Sequence, residues 1–182
     1  MTDIATPTGR SGQSSTAQGT ERPHTLVVLV EDRPGAVDRV VGLMRRRRAN
    51  MQTLVFGRSE QPNVVRVTVA VNDSEVGIEH LIEQLRKIFD VRNVLNVTSQ
   101  LAITRELALI KVDSTPEKLN AIVELGHHFG AHAVDIAPHT VILEVTGSEE
   151  KIERLVSSLQ EYGVREIARS GRAALTRGTD EA

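Results

Sequence analysis

The chain carries one order of strand and helix patterns twice, and this repetition restricts its fold more than any other feature. In the first half, an apolar run over 25–30 is followed by apolar residues at helical spacing from Val37. Strand patterns then occupy 51–56 and 65–71, a second helical stripe follows, and 91–97 closes the half as a strand. The order is β-α-β-β-α-β.

The second half repeats this order between residues 107 and 168. Pro116 suits the first turn of a helix, with Ser114 or Thr115 as its cap, and Ser148 suits the cap of the next helix. We therefore expect an α+β protein made of two ferredoxin-like βαββαβ units. Each unit would be a four-stranded antiparallel sheet with both helices on one face.

The two predicted units occupy residues 24–99 and 104–178. Residues 1–23 are rich in Ser, Thr, Gly and Gln and have no hydrophobic period, which predicts a disordered tail, and 179–182 form a second tail. Helices on one face leave the other face of each sheet open. Because an open face or edge in so small a domain usually finds a partner, we expect the chain to oligomerise.

The composition of the chain excludes several classes of site and partner. Hydrophobic residues make up 40% of the 182 residues but aromatic residues only 2%, so the core must be aliphatic. The absence of cysteine excludes disulfides, thiolate nucleophiles and Cys-ligated zinc. A formal net charge of -2 gives no general attraction to nucleic acid or to a membrane surface. With no signal peptide and no apolar run of membrane-spanning length, we expect a cytoplasmic protein.

The segment Glu31-Asp32-Arg33-Pro34-Gly35 joins the first strand to the first helix. Glycine lets a ligand approach the backbone, and the unpaired N–H groups where the helix begins, near Ala36, attract a carboxylate. Asp32 supplies an acceptor for an ammonium group. The segment thus complements both charged ends of an amino acid. The alternative is that Asp32 caps the helix while Pro34 and Gly35 only form the turn.

A family resemblance rests on this segment and on later blocks. The run LVEDRPGAVDRVVGL over 29–43, followed by Arg47 and Asn50, resembles the start of an ACT domain and, more narrowly, the small regulatory subunit of acetolactate synthase. Further blocks similar to that family follow in its order. They lie at 105–112, 134–138, 165–171 and 175–178.

The resemblance implies a fold, a role and a set of site residues. The N-terminal ACT domain would pair through its sheet with a second copy and bind valine, the end product of the pathway, at the dimer interface. The implied effector contacts are Asp32, Pro34, Gly35 and Ala36 of one protomer and Asn50 of its partner. The second unit, without a glycine turn at 112–116, would contact the catalytic subunit. Thiamine diphosphate and magnesium would belong to that subunit, and no cofactor or metal to this chain.

Two departures from the family pattern concern the effector pocket. Asp32 stands where many members carry Asn, so it keeps an acceptor for the ammonium group but loses an amide donor and adds negative charge. Arg45-Arg46-Arg47-Arg48-Ala49 replaces a stretch that often contains a glycine and an aromatic residue. Both departures bear on which effector is preferred.

The expected function is a non-catalytic regulatory subunit in branched-chain amino acid biosynthesis, activating the catalytic subunit and conferring feedback inhibition by valine. The alternatives are a stand-alone ACT-type amino-acid-binding module and a small enzyme on a ferredoxin-like scaffold.

Two runs of residues could suggest other functions. The arginine run 45–48 could suggest nucleic-acid binding, but aromatic residues for stacking bases are scarce, so we interpret it as a solvated helix end. The histidines at 127, 128, 132 and 139 do not share one regular element, which favours ordinary core or surface positions over a metal site.

Overall fold

The first unit is a four-stranded antiparallel sheet with two helices on one face. The computed structural model describes residues 20–98 and 102–178. Its first elements are β1 (Arg22–Glu31), α1 (Ala36–Arg46), β2 (Asn50–Arg58), β3 (Val64–Asp73), α2 (Glu75–Arg86) and β4 (Val91–Asn96). The strand order is β2-β3-β1-β4, so β2 and β4 are the edges.

The second unit repeats this topology and adds a strand. Its elements are β5 (Ala102–Asp113), α3 (Pro116–His128), β6 (His132–Ala137), β7 (Thr140–Gly147), α4 (Glu149–Leu159), β8 (Val164–Arg169) and β9 (Ala173–Thr176). The sheet order is β6-β7-β5-β8, and β9 pairs with β5 outside this path. The predicted α+β fold of two βαββαβ units is confirmed.

Several boundaries differ from the prediction. β1 begins at Arg22, inside the predicted tail, because Arg22 and Pro23 continue the ladder opposite Asp73 and Asn72. The prediction missed β9 and also the first residues of β5, which pair with it. The predicted tail residues 1–19 and 179–182 lie outside the described residues.

The core of each unit is aliphatic, as the composition predicted. In the first unit, Leu26, Val28 and Val30 of β1 are fully buried against α1 and α2. In the second, Ile110 of β5 and Leu155 of α4 are fully buried in the equivalent cluster. Each such side chain contributes about 1.5–3 kcal/mol through burial, which fixes the helices on their sheets.

The opposite face of the first sheet is covered by the chain's own second half. Residues 102–105 of β5 and 173–176 of β9 form a two-stranded antiparallel ribbon, here called the ribbon. Its Ala174 is 3% exposed and packs with Val27, Leu29 and Val64. The expectation that this face remains open is therefore wrong. The continuous apolar run of β1 already indicated burial on both faces, since such a strand does not alternate between apolar and polar residues.

The cap predicted at Ser148 is confirmed, and Ser74 caps α2 in the same way although the sequence analysis did not assign it. The Ser74 and Ser148 hydroxyls accept hydrogen bonds from the N–H groups of Gly77 (3.1 Å) and Lys151 (3.4 Å). Thr115 precedes Pro116 at the start of α3, but its side chain does not cap the backbone N–H groups of the helix, so the predicted cap of α3 is wrong for Thr115. None of the helices in the described residues is long and apolar enough to cross a membrane.

Candidate functional site

The turn formed by residues 31–35, here called the first turn, ends at a glycine in the left-handed region. Gly35 has φ +79° and immediately precedes α1. The Ala36 N–H bonds the Arg33 carbonyl at 3.1 Å, and the Arg39 N–H bonds the Gly35 carbonyl at 3.0 Å. This backbone conformation favours glycine because it has no Cβ. The left-handed backbone gives a structural reason for glycine at this position, while the approach of a ligand to it stays a prediction.

The helix that follows has no side-chain cap. The residue at the cap position is Gly35, and no side chain bonds the N–H groups there. The alternative that Asp32 caps α1 is therefore wrong. The Asp32 side chain and Pro34 are exposed, whereas Ala36 is fully buried. The first turn consequently presents a carboxylate, a glycine backbone and a helix N-terminus to solvent.

Two neighbouring strands fix the position of the first turn. The Glu31 N–H donates to the Asp90 carbonyl, and the Asp32 N–H donates to the Asn63 carbonyl, both at 2.9 Å. Asn63 directly precedes β3 and Asp90 directly precedes β4. These bonds hold the turn at one end of the sheet.

Arg39 adds a positive charge that the sequence analysis did not assign to the site. Its Nε donates to the buried carboxylate of Asp90 at 2.6 Å, and this hydrogen bond raises the pKa of the Arg39 guanidinium. A Cβ placed on Gly35 would lie 3.3 Å from Arg39 Nη1. The guanidinium therefore borders the first turn. The four-residue spacing from Gly35 is the signal that could have identified it.

Asn50 lies at the far end of the sheet from the first turn. It is the first residue of β2, is exposed, and accepts a hydrogen bond from Gln52 Nε2 at 2.9 Å. The end of β2 at Arg58 is the end that lies beside the first turn. The length of β2, roughly 26 Å at the usual rise of a strand, separates the two. One chain by itself does not bring Asn50 to the turn.

The equivalent turn of the second unit repeats the anchoring but not the glycine. The Asp113 N–H donates to the Gly163 carbonyl at 2.8 Å, and the Ser114 N–H donates to the His139 carbonyl at 3.0 Å. These match the two bonds that hold the first turn. However, α3 begins at Pro116 without a left-handed residue before it. Among the helices of the described residues, α1 of the first unit alone begins after a left-handed glycine.

The histidines do not form a metal centre in the part of the chain that the structure describes. His127 and His132 contact each other edge to face, with ring centroids 6.1 Å apart. Within residues 20–98 and 102–178, no three His, Asp or Glu side chains gather as a metal-binding group.

Known families match both units of the chain. A family described as the small subunit of acetolactate synthase matches residues 105–178, and one described as the AHAS small subunit-like ACT domain matches residues 26–93. A probable acetolactate synthase small subunit from Archaeoglobus fulgidus is 40% identical over 155 residues, which covers 85% of this chain and 97% of that protein. The chain belongs to the acetolactate synthase small-subunit family.

Other members of the small-subunit family support the same assignment. The Bacillus subtilis acetolactate synthase small subunit is 38% identical over 160 residues, covering 86% of this chain and 91% of that protein. The crystal structure of the Thermotoga maritima small subunit matches with a TM-score of 0.79 and 31% identity, over 87% of this chain and 99% of that one. The resemblance predicted from the sequence blocks is confirmed, and so is the fold that it implied.

Removing the Arg39 side chain should destabilise the first unit. Arg39→Ala leaves the buried Asp90 carboxylate without its charged donor, and a buried acceptor without a partner is costly. We expect the Tm to fall by several degrees in a thermal unfolding experiment followed by circular dichroism. Arg92→Ala is the matched control, because among the described residues Arg92 makes one long ion pair of 3.6 Å, with a Glu31 carboxylate that Arg33 also pairs, so its loss should cost little. Equal Tm values for the two variants would contradict the structural role of Arg39.

Proposed function

We propose that this chain is the regulatory subunit that raises the activity of the acetolactate synthase catalytic subunit and makes it sensitive to valine. The observation that carries the proposal is the first turn, where left-handed Gly35 opens α1 beside the Arg39 guanidinium. The small-subunit family membership favours this function over a stand-alone binding module or a small enzyme. A role in branched-chain amino acid biosynthesis fits a cytoplasmic complex.

The first turn offers a separate partner for each charged end of valine. The N–H groups at the start of α1 and the guanidinium of Arg39 would attract the carboxylate. The exposed Asp32 carboxylate would accept hydrogen bonds from the ammonium group. Pro34 flanks the glycine on one side and would complete the proposed contacts from one protomer. Ala36, on the other side, is fully buried and would support the turn from the core.

The remaining contact would come from a second copy of the chain. β2 is an edge strand, and Leu54 and Phe56 on it are 37% and 62% exposed. Two copies of β2 pairing antiparallel would bury these apolar side chains. That pairing would also carry Asn50 of the partner subunit to the end of the sheet where the first turn lies. A homodimer therefore explains why one chain keeps Asn50 and the turn apart.

Catalysis would remain with the larger subunit, which would hold thiamine diphosphate and magnesium. This chain would act by binding that subunit and favouring its more active state. Valine can reverse the effect only if it binds the less active state of the complex more tightly. Regulation thus requires a site for valine and a surface for the catalytic subunit on the same small chain.

Calorimetry on the purified protein tests the sensor. Titration with valine should give a saturable heat, and sedimentation should give a mass of two chains. Leucine and isoleucine serve as comparison ligands, because Asp32 and the run 45–48 bear on effector preference. The absence of heat with all three amino acids would count against an effector site in the first turn.

A further inference from the structure

An apolar groove lies where the ribbon crosses the end of β2. Its volume is about 760 Å³, and it is lined by residues 55–58 of β2, by parts of β3 and β5, and by residues 173–178. Ile103 and Leu175, two of its large apolar side chains, are 43% and 63% exposed. Solvent-exposed side chains of this size gathered around one groove are typical of a binding surface. We call it the ribbon groove.

Four arginines surround the ribbon groove, and none of the described residues that line it is acidic. They are Arg58, Arg66, Arg105 and Arg177. Arg66 donates to the Ala174 carbonyl at 2.7 Å and so ties the ribbon to β3. None of the four forms an ion pair with a carboxylate among the described residues. The whole chain has a net charge of -2, so this positive cluster is local.

Charge and shape together specify the occupant. Four arginines around an apolar floor, none of them ion-paired within the described residues, complement a segment that carries carboxylates next to large apolar side chains. The groove is also flanked by strands with unpaired edges. β9 pairs only with β5 and β2 only with β3 among the described strands. Since the proposed dimer uses the edge of β2, an extended peptide would add to the edge of β9 through main-chain hydrogen bonds.

We propose that the ribbon groove docks an acidic, apolar segment of the catalytic subunit. This inference rests on the proposed function and adds the surface through which it acts. The docking surface is then built by both units rather than by the second unit alone. It also places β2 between two sites, because Asn50 begins the strand and the ribbon groove borders its end. Effector binding and subunit docking would therefore involve the same strand.

A paired substitution in the ribbon groove tests the proposal. Leu175→Asp combined with Arg177→Glu removes one exposed apolar side chain and reverses one charge. The measurement is the concentration of this chain that gives half-maximal activation of the catalytic subunit from the same organism. We expect that concentration to rise at least tenfold, and the activation by the unmodified chain to weaken with added salt. Valine calorimetry and the sedimentation mass of the variant should stay unchanged.

A matched pair on the second unit provides the control. Val134→Asp with Arg154→Glu makes the same chemical changes at exposed positions on β6 and α4, outside the groove. This pair should activate like the unmodified chain. Full activation by the groove pair, or its loss with the control pair instead, would overturn the groove while leaving the proposed function intact. If the unmodified chain neither binds nor activates the catalytic subunit, the proposed function fails and this inference fails with it.

Discussion

Gly35→Asp is expected to abolish valine binding. At φ +79°, any side chain adds backbone strain of about 1–2 kcal/mol. The new carboxylate would also lie beside the start of α1 and Arg39, where the carboxylate of valine would have to bind. It would repel the ligand and compete for the same donors. Calorimetry up to millimolar valine should therefore give no binding heat.

A substitution at a second left-handed glycine is the control that distinguishes loss of valine binding from general destabilisation. Gly130 follows α3 with φ +64°, and a Cβ there would meet only the flexible end of Lys151 at 3.5 Å. Gly130→Asp carries the same backbone strain far from the first turn, so it should bind valine like the unmodified chain. Valine affinity for Gly35→Asp within a few-fold of normal would remove the first turn as the effector site.

Val27→Asp is expected to unfold a large part of the protein. Val27 is fully buried on the face of β1 that the ribbon covers, in an aliphatic cluster. A carboxylate placed there is buried without a partner and should lower the free energy of unfolding by roughly 4 kcal/mol or more. Domains of this size have only about 5–15 kcal/mol to lose. Urea denaturation followed by circular dichroism measures the change.

Two comparison substitutions test whether the loss of stability comes from the face of β1 that the ribbon covers. Val28→Asp, on the helix face of β1, should be equally damaging because that face is buried against α1 and α2. Ile103→Asp, at a partly exposed position on the ribbon itself, should be tolerated. If Val27→Asp is as stable as Ile103→Asp, the ribbon does not cover the first sheet.

Sequence periodicity predicted the repeated topology because local spacing alone decides which face of each element is apolar. The same periodicity did not predict β9. Ala173, Ala174 and Thr176 are small or polar and make no recognisable strand pattern, and the strand exists only because it pairs with the start of β5. The covered face of the first sheet followed from that pairing, so it was also missed.

The sequence likewise predicted one part of the candidate site and not the other. Turn chemistry predicted Asp32 and Gly35, because glycine conformation and helix starts leave local signals, and the resemblance alone supplied Asn50; the roles of all three stay predictions. Asp90 is distant in sequence from Arg39, and only the packing of β4 beside β1 brings its carboxylate to the helix. The ribbon groove is likewise assembled from four strands of both units, and no local pattern marks it.

The most direct test of the central claim is the activity of the catalytic subunit, assayed with and without this chain across a valine titration. We expect the chain to raise acetolactate formation from pyruvate and valine to remove the increase. Gly35→Asp should keep the increase but make it insensitive to valine. Activity that is unchanged by the chain at saturating concentration would contradict the account, as would acetolactate formation by the chain alone.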